Sequence, residues 1–593
     1  MRKLRENLFV YEDTCRVYVI KHHDRAVLID FGSGAILQEL ALIGVQRIDM
    51  VLHTNHHRDV CGGDHLLDSE TVIYVPENER YLFEDTEHFW DRLRVYVTTR
   101  VDSIEFTRTT SVTVRGLEDG ESILWEEYVF QAISTPGDSR GAISIVWDNG
   151  GEKIVFCGDL ISAPGKVHAI FDFQWEYLPA KLFYKWIESL EKLSKLTIDL
   201  LCPSHGEAMD DGKEGIELLR SRALTLERMM IPELIPYPAG NLYRVLPHLI
   251  YVDKTTYLIM SESGHGILID YGYVDYEQIV QLKDNFGLKK IDAIIFTHYH
   301  IDHIARAAEA QFHPWTSKEL FREVEIWNLN QVADIVKNPK RYKLPGLHPS
   351  NTDSDRIVSS GDHIRWNEYD LYFYHHPGQT YYALGLFVEI DGRKVLFTGD
   401  NIWPTKDGKL VTPVIFKDSP DPEGFIRVAH EMKSLNPSII ATGHYGAIPV
   451  NETMLDSYIQ WSLALKEKLY EIVSQDPPLY GIDCRWAYFY PYIAEAAPGE
   501  EVKVWLRVKN HSPVASRFNV NLCLPEGISC ESHFREIAAG PHSKTDLSFT
   551  LVLADTMKTD RRYVVTVEID RNGKKCGEVA EFMIEVKNRR EFL

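Results

Sequence analysis

The chain has 593 residues, of which 64 are basic and 87 acidic, and its formal net charge is −23. Hydrophobic residues make up 44% and charged residues 25%, a composition that excludes a mostly disordered chain. The acidic excess disfavours a chain-wide surface for nucleic acid, and no run approaches the roughly 20 apolar residues of a membrane helix.

The eight cysteines are scattered and form no CxxC pair, which predicts reduced thiols. Residues 1–7 are basic but lack a following apolar segment, so no secretory signal is expected and the expected compartment is the cytoplasm. A short apolar strand is predicted over residues 25–30, then a helix, then a strand over 47–52 that runs into Thr54 and Asn55. Residues 78–101 carry Phe83, Phe89, Trp90 and Tyr96, which read as half-buried core aromatics, with a lid against a neighbouring unit as the alternative. Phe171, Phe173, Trp175 and Tyr177 read the same way. A strand ending in Gly158-Asp159, a helix, a loop with His205 and an amphipathic helix near 214–230 follow. Pro232, Pro236 and Pro238 then mark a boundary.

Beyond that boundary the pattern starts again. Residues 266–270 repeat the apolar strand, and 290–297 repeat the strand that ends in Thr. Val395-Leu396-Phe397-Thr398-Gly399-Asp400 matches Ile154-Val155-Phe156-Cys157-Gly158-Asp159. Pro377-Gly378-Gln379 matches Pro136-Gly137-Asp138, and Gly443-His444-Tyr445-Gly446 matches the segment around His205. The offsets all lie at about 240 residues, which predicts two homologous α/β units in tandem. A closing helix near 452–474 ends the second unit, since Pro477 and Pro478 cannot continue it. From there, short alternating strands separated by Gly and Pro turns predict an all-β sandwich, which resembles immunoglobulin-like modules. The predicted domains are 1–236, 237–476 and 479–593.

Chemistry concentrates at Thr297-His298-Tyr299-His300-Ile301-Asp302-His303, where three histidines and a carboxylate follow a strand through a loop. Ligands of this type at this density suit Zn²⁺ or another borderline divalent ion. HxHxDH, with the later motifs, resembles the metallo-β-lactamase superfamily. The resemblance implies two αββα sandwiches before the all-β domain. It also implies one metal held by His298, His300 and the PGH position, another by Asp302, His303 and His444, and Asp400 bridging both. The PGH histidine is Gln379 here, a weaker ligand for zinc. Three alternatives follow: Gln379 favours Mn²⁺ or Fe²⁺, His375 or His376 replaces it, or only the second site fills.

In the first unit the same positions are Asn55, His57, Asp59, Val60, Asp138, Asp159 and His205. Val60 cannot bind a metal, so this unit is expected to be catalytically silent, with a hard cation as the alternative. Its unneutralised aspartates are expected to raise a carboxyl pKa, with His56 and Arg58 offsetting some charge. The expected function is a metal-dependent hydrolase in which metal-activated hydroxide attacks an ester-like bond, with Asp302 as the catalytic carboxylate. Thioesters, lactones and other small esters fit the resemblance; a phosphodiesterase or nuclease, and a non-catalytic scaffold, are the alternatives. The expected partners are a small-molecule substrate, no nucleic acid and no membrane, with the two units forming an intrachain pseudo-dimer.

Overall fold

A computed structural model describes residues 1–93, 112–175, 183–238, 242–312, 319–349 and 351–588. Tyr96, Val101 and Tyr177 lie outside the described residues. In the first unit, seven strands from Arg2–Lys3 to Thr113–Leu117 form one sheet in sequence order. The pairing turns from antiparallel to parallel at Arg25–Ile29, where the chain crosses over to Arg47–Leu52. A second sheet runs Leu200–Pro203, Glu152–Gly158, Ile143–Asn149, Tyr128–Ser134 and Ser122–Trp125. The two sheets share a core that includes Val10, Leu52, Phe130, Ile145 and Phe156. Helices Tyr184–Ser194 and Gly212–Met230 cover the outer face of the second sheet through Trp186, Leu190, Ile216 and Leu219.

The second unit repeats this plan, with a seven-stranded sheet from Tyr243–Leu246 to Arg356–Val358. Its second sheet has six strands, from His363–Trp366 to Ala447–Pro449. The copies differ after the first parallel strand. In the second, Tyr276–Phe286 is a full helix, started by a reciprocal Asp275–Gln278 cap and stopped by left-handed Gly287. In the first, the helix predicted there is two 3₁₀ turns, Ala35–Gln38 and Leu40–Ile43. Left-handed Gly34 and Gly44 bound that segment.

The helical layers of the two units face each other. Leu219 and Leu226 of the first closing helix share a core with Leu465 and Leu469 of Glu452–Ile472. The remaining chain forms a four-stranded and a five-stranded sheet around Val504, Leu506, Val565 and Phe582. This β-rich region packs on the first unit, where Ile493 and Met583 join the core of Val19, Leu28 and Ile73. A buried ion pair, Arg58 Nη2 to Glu581 Oε2 at 2.9 Å, reinforces that contact. Phe83 and Trp90 are buried in the same core, so they pack as core aromatics. Among the described residues, no helix is long and apolar enough to cross a membrane.

Candidate metal centre

Strand Lys290–Ile295 runs parallel between His265–Ile269 and Glu325–Leu329 and delivers Thr297 to the end of the sheet. Asp270, at φ 60° just past its own strand, anchors that end. Its carboxylate accepts from the Thr297 amide and hydroxyl, both at 2.7 Å, and lies 2.7 Å from His303 Nδ1. Asp302 and His303 sit on a short helix, Ile301–Ile304, with His300 capping it, and not on the loop expected from sequence. From the second sheet, the turn after Arg393–Gly399 brings in Asp400, and the turn after Ile439–Thr442 brings in His444. These turns need glycine. A Cβ on Gly399 would lie 2.4 Å from Thr297 Oγ1, and one on Gly443 would lie 1.9 Å from Asp400 Oδ1.

The ligand-type atoms converge. Asp302, His303, Asp400 and His444 bring one atom each within 4.8 Å of one another, and so do His298, His300 and Asp400. His444 Nε2 lies 3.1 Å from Asp302 Oδ2 and 3.2 Å from Asp400 Oδ2, and His303 Nε2 lies 3.2 Å from Asp400 Oδ1. His298 Nε2 and His300 Nδ1 are 2.7 Å apart. Gln379 closes the group, with its amide nitrogen 3.2 Å from Asp400 Oδ2. Asn401 sets that loop by accepting the Gln379 amide at 3.0 Å and donating to the His376 carbonyl.

Each motif histidine is held from behind. His298 Nδ1 meets Thr297 Oγ1, His300 Nε2 lies 2.9 Å from Asp418 Oδ2, and His303 Nδ1 is on Asp270. Tyr299 donates to the other oxygen of Asp418. Outer acceptors of this kind fix ring orientation at metal sites. His303 Nε2 and Asp400 Oδ1 face each other at 3.2 Å without forming a hydrogen bond, and Gln379 Oε1 is buried without one. Buried polar atoms without hydrogen bonds are costly, and divalent ions beside Asp400 would take up these ligand atoms. On this test the residues fit a divalent ion.

The electrostatics agree. Burial penalises the His444 imidazolium, but Asp400 and Asp302 outweigh it and push its pKa up to about 10. His303 is also raised against burial, by Asp400, Asp270 and Asp302, while burial and the neighbouring imidazoles push His298 well down. Burial opposes the Asp400 carboxylate, yet His444 and His303 hold it well below the usual range.

His298, His300, His303, Gln379 and Asp400 are buried, whereas Asp302 and His444 keep 20% and 26% of their side chains exposed. The centre therefore opens on the Asp302–His444 side. All seven residues singled out from sequence lie in this one group. Neither alternative to Gln379 does. His375 Nε2 meets the Tyr381 carbonyl at 2.7 Å, and buried His376 faces Glu431 at 3.1 Å. Sequence reasoning missed Asp270 and Asp418. Asp270 has a counterpart, Asp30, at the end of the first unit's matching strand, where the repeat could have exposed it.

The family model for the metallo-β-lactamase superfamily matches residues 10–205 and 252–444. The chain belongs to the metallo-β-lactamase superfamily. It is 24% identical over 246 residues to the Candida albicans protein named endoribonuclease YSH1, covering 38% of this chain and 26% of that one. It is 25% identical over 189 residues to a hydroxyacylglutathione hydrolase of Aeromonas salmonicida, covering 31% of this chain and 58% of that one. The chain thus spans about a quarter and somewhat over half of these relatives' lengths. Among solved structures it resembles a metallo-β-lactamase family protein from Thermus thermophilus at 18% identity and TM-score 0.32, covering 38% and 83% of the two chains. Metal-dependent hydrolysis is the class of chemistry that the superfamily supports.

Both superfamily units keep the strand ends, but in the first hydrogen bonds take up Asn55, Asp138, Asp159 and His205. Asn55 Nδ2 donates to Asp138 Oδ2 at 2.6 Å, and Asn55 Oδ1 accepts the His57 amide at 2.9 Å. Val60 is packed in the core. The His205 ring is turned so that Nδ1 meets Asp159 at 2.6 Å and Nε2 meets the Thr14 carbonyl at 3.0 Å, so both its nitrogens are taken. His57, Asp138 and Asp159 still bring an atom each within 4.8 Å of one another. The Asp138 carboxyl is pushed well up, by burial first and then by Asp159 and Glu79. The charges expected to offset that cluster point elsewhere: His56 faces Glu79 at 2.9 Å, and Arg58 pairs with Glu581.

Proposed function

We propose that the second unit is a metal-dependent hydrolase of an ester-like bond in a small organic molecule, a thioester, lactone or other ester. The observation that carries this reading is the convergence of ligand-type atoms from Asp302, His303, Asp400 and His444, and from His298, His300 and Asp400, with the histidines braced from outside. His298, His300, Gln379 and Asp400 would hold one ion and Asp302, His303, His444 and Asp400 another, zinc first, with Mn²⁺ or Fe²⁺ suited to the amide oxygen of Gln379. A bound divalent ion supplies Lewis acidity and lowers the pKa of water towards neutrality. Asp302, on the open side, orients the attacking water and takes its proton on a carboxylate oxygen. Before an ion binds, the His444 and His303 imidazoliums keep Asp302 and Asp400 ionised, and as ligands those rings would be neutral. Buried Asp270 and Asp418 prevent the rings from turning. The first unit is catalytically silent, and the chain works as an intrachain pseudo-dimer.

The likeness to the YSH1 endoribonuclease favours a phosphodiesterase as a second reading. The lysine-rich run that a nucleic acid would need is already paired: Lys337 with Asp353, Lys340 with Glu495, and Lys343 with Glu581. The test is turnover of ester, thioester and phosphodiester substrates by zinc-, manganese- and iron-loaded protein. Hydrolysis of the first two alone supports the proposal, and phosphodiester cleavage alone supports the second reading. Stoichiometric metal absent under every loading condition would make the chain a scaffold.

A further inference from the structure

We propose that the first unit is a binding site for a small organic oxyanion, in a cavity that the C-terminal β-rich region roofs. The cavity measures about 1030 Å³, the size of a small-molecule site. Its floor is the silent unit's former metal position, with Asp59, His168 and His205. Ser474 and Gln475, just past the second unit's closing helix, form one wall, and Arg571 and Lys574 form the roof. All three parts of the chain are needed to enclose it.

Most of the cavity's charged side chains are paired. Glu12 and Glu207 pair with Arg16, and Asp13 pairs with Lys575. Asp59 and Asp159 both face His205. Glu578 accepts from the Thr566 hydroxyl. Two cations of the roof, Arg571 and Lys574, and one carboxylate, Glu578, are in no ion pair among the described residues. Arg571 is 8% exposed and lies 3.6 Å over the Tyr480 ring. It donates to the Asp476 carbonyl at 3.3 Å, while its Nη1 has no hydrogen-bond partner and no carboxylate pairs with it among the described residues. Lys574 likewise has no ion pair there. Partial desolvation and the neighbouring Arg571 charge lower its pKa, although the side chain reaches solvent. Arg571 is buried with an unpartnered Nη1 and its guanidinium plane suits a carboxylate or phosphate group, while exposed Lys574 adds positive charge beside it. Trp486 and the His168 ring, stacked 3.9 Å from His205, line the cavity with aromatic surface for an organic body.

The experiment uses the full metal-loaded chain at constant ionic strength. Thermal unfolding and calorimetric titration are run with inorganic phosphate, benzoate and, as the neutral control, benzyl alcohol. At least one anion should bind and raise the unfolding midpoint above a chloride control, while benzyl alcohol should not. Phosphate alone would mark a phosphorylated ligand and benzoate alone a carboxylic acid. Arg571→Gln should abolish binding. Lys574→Gln, at an exposed position that keeps the ligand-free midpoint, should weaken it about tenfold or more. Absence of binding by both anions, or equal binding by wild type and Lys574→Gln, would overturn the proposal.

Discussion

Asp400 and Asp159 stand at matching strand ends of two copies of one fold, yet their surroundings are opposite. Around Asp400, His303 and His444 turn Nε2 inward, and His303 is braced through its other nitrogen by Asp270. Around Asp159, His205 has turned its ring, and the backbone of Thr14 takes the nitrogen that would face a metal. The difference teaches that a superfamily site is lost by satisfaction of its polar atoms as much as by removal of its ligands. Once Asn55 donates to Asp138 and His205 is bonded at both ends, these atoms have little capacity left for an ion.

Perturbing the second unit should show the largest effects. Asp302→Asn keeps the shape but removes the proton acceptor, and turnover should fall by about 10² to 10⁴ with metal content measured in parallel. An unchanged rate would remove Asp302 from the chemistry. Asp418→Asn loosens the brace on His300, and metal affinity measured by competition with a chelator should fall roughly 10- to 100-fold. Gln379→His would sharpen the contrast, since imidazole is the better zinc ligand. Zinc bound per chain should rise if the first position of this centre fills poorly in the wild type.

The smallest effect is a pH dependence in the first unit. Burial opposes the His205 imidazolium, but Asp159 raises its pKa to about 9 from an ordinary 6.5. Stability from this raised histidine is fully present below pH 6.5 and lost as pH climbs through about 9. Asp159 is lowered, so its share is present above its ordinary 3.8 and lost in stronger acid. Urea midpoints of wild type and Asp159→Asn should therefore differ most between pH 4 and 6.5 and converge above about 9. A gap that widens with alkali would contradict the pairing.

Much of this was legible in sequence for stated physical reasons. The repeat showed because Gly399 and Gly158 occupy left-handed turns against Thr297 and Thr54, where a Cβ does not fit. The β-rich end showed through alternation, as in Glu501–Lys509, whose even positions point into the core. The seven centre residues showed because ligand types and spacing mark them. Asp418 did not, since it reaches His300 from a separate 3₁₀ turn, Phe416–Asp418, across 118 positions of chain. Neither the turned ring of His205 nor the diversion of Arg58 to Glu581 has any local pattern, because both depend on partners that only tertiary packing supplies.

The central claim is that one unit binds metal and its duplicate does not. Elemental analysis of wild type, Asp400→Ala and Asp159→Ala, purified and loaded identically, tests it most directly. The account predicts that Asp400→Ala loses its metal while Asp159→Ala keeps the wild-type amount. Equal losses in the two variants, or full metal in Asp400→Ala, would contradict it.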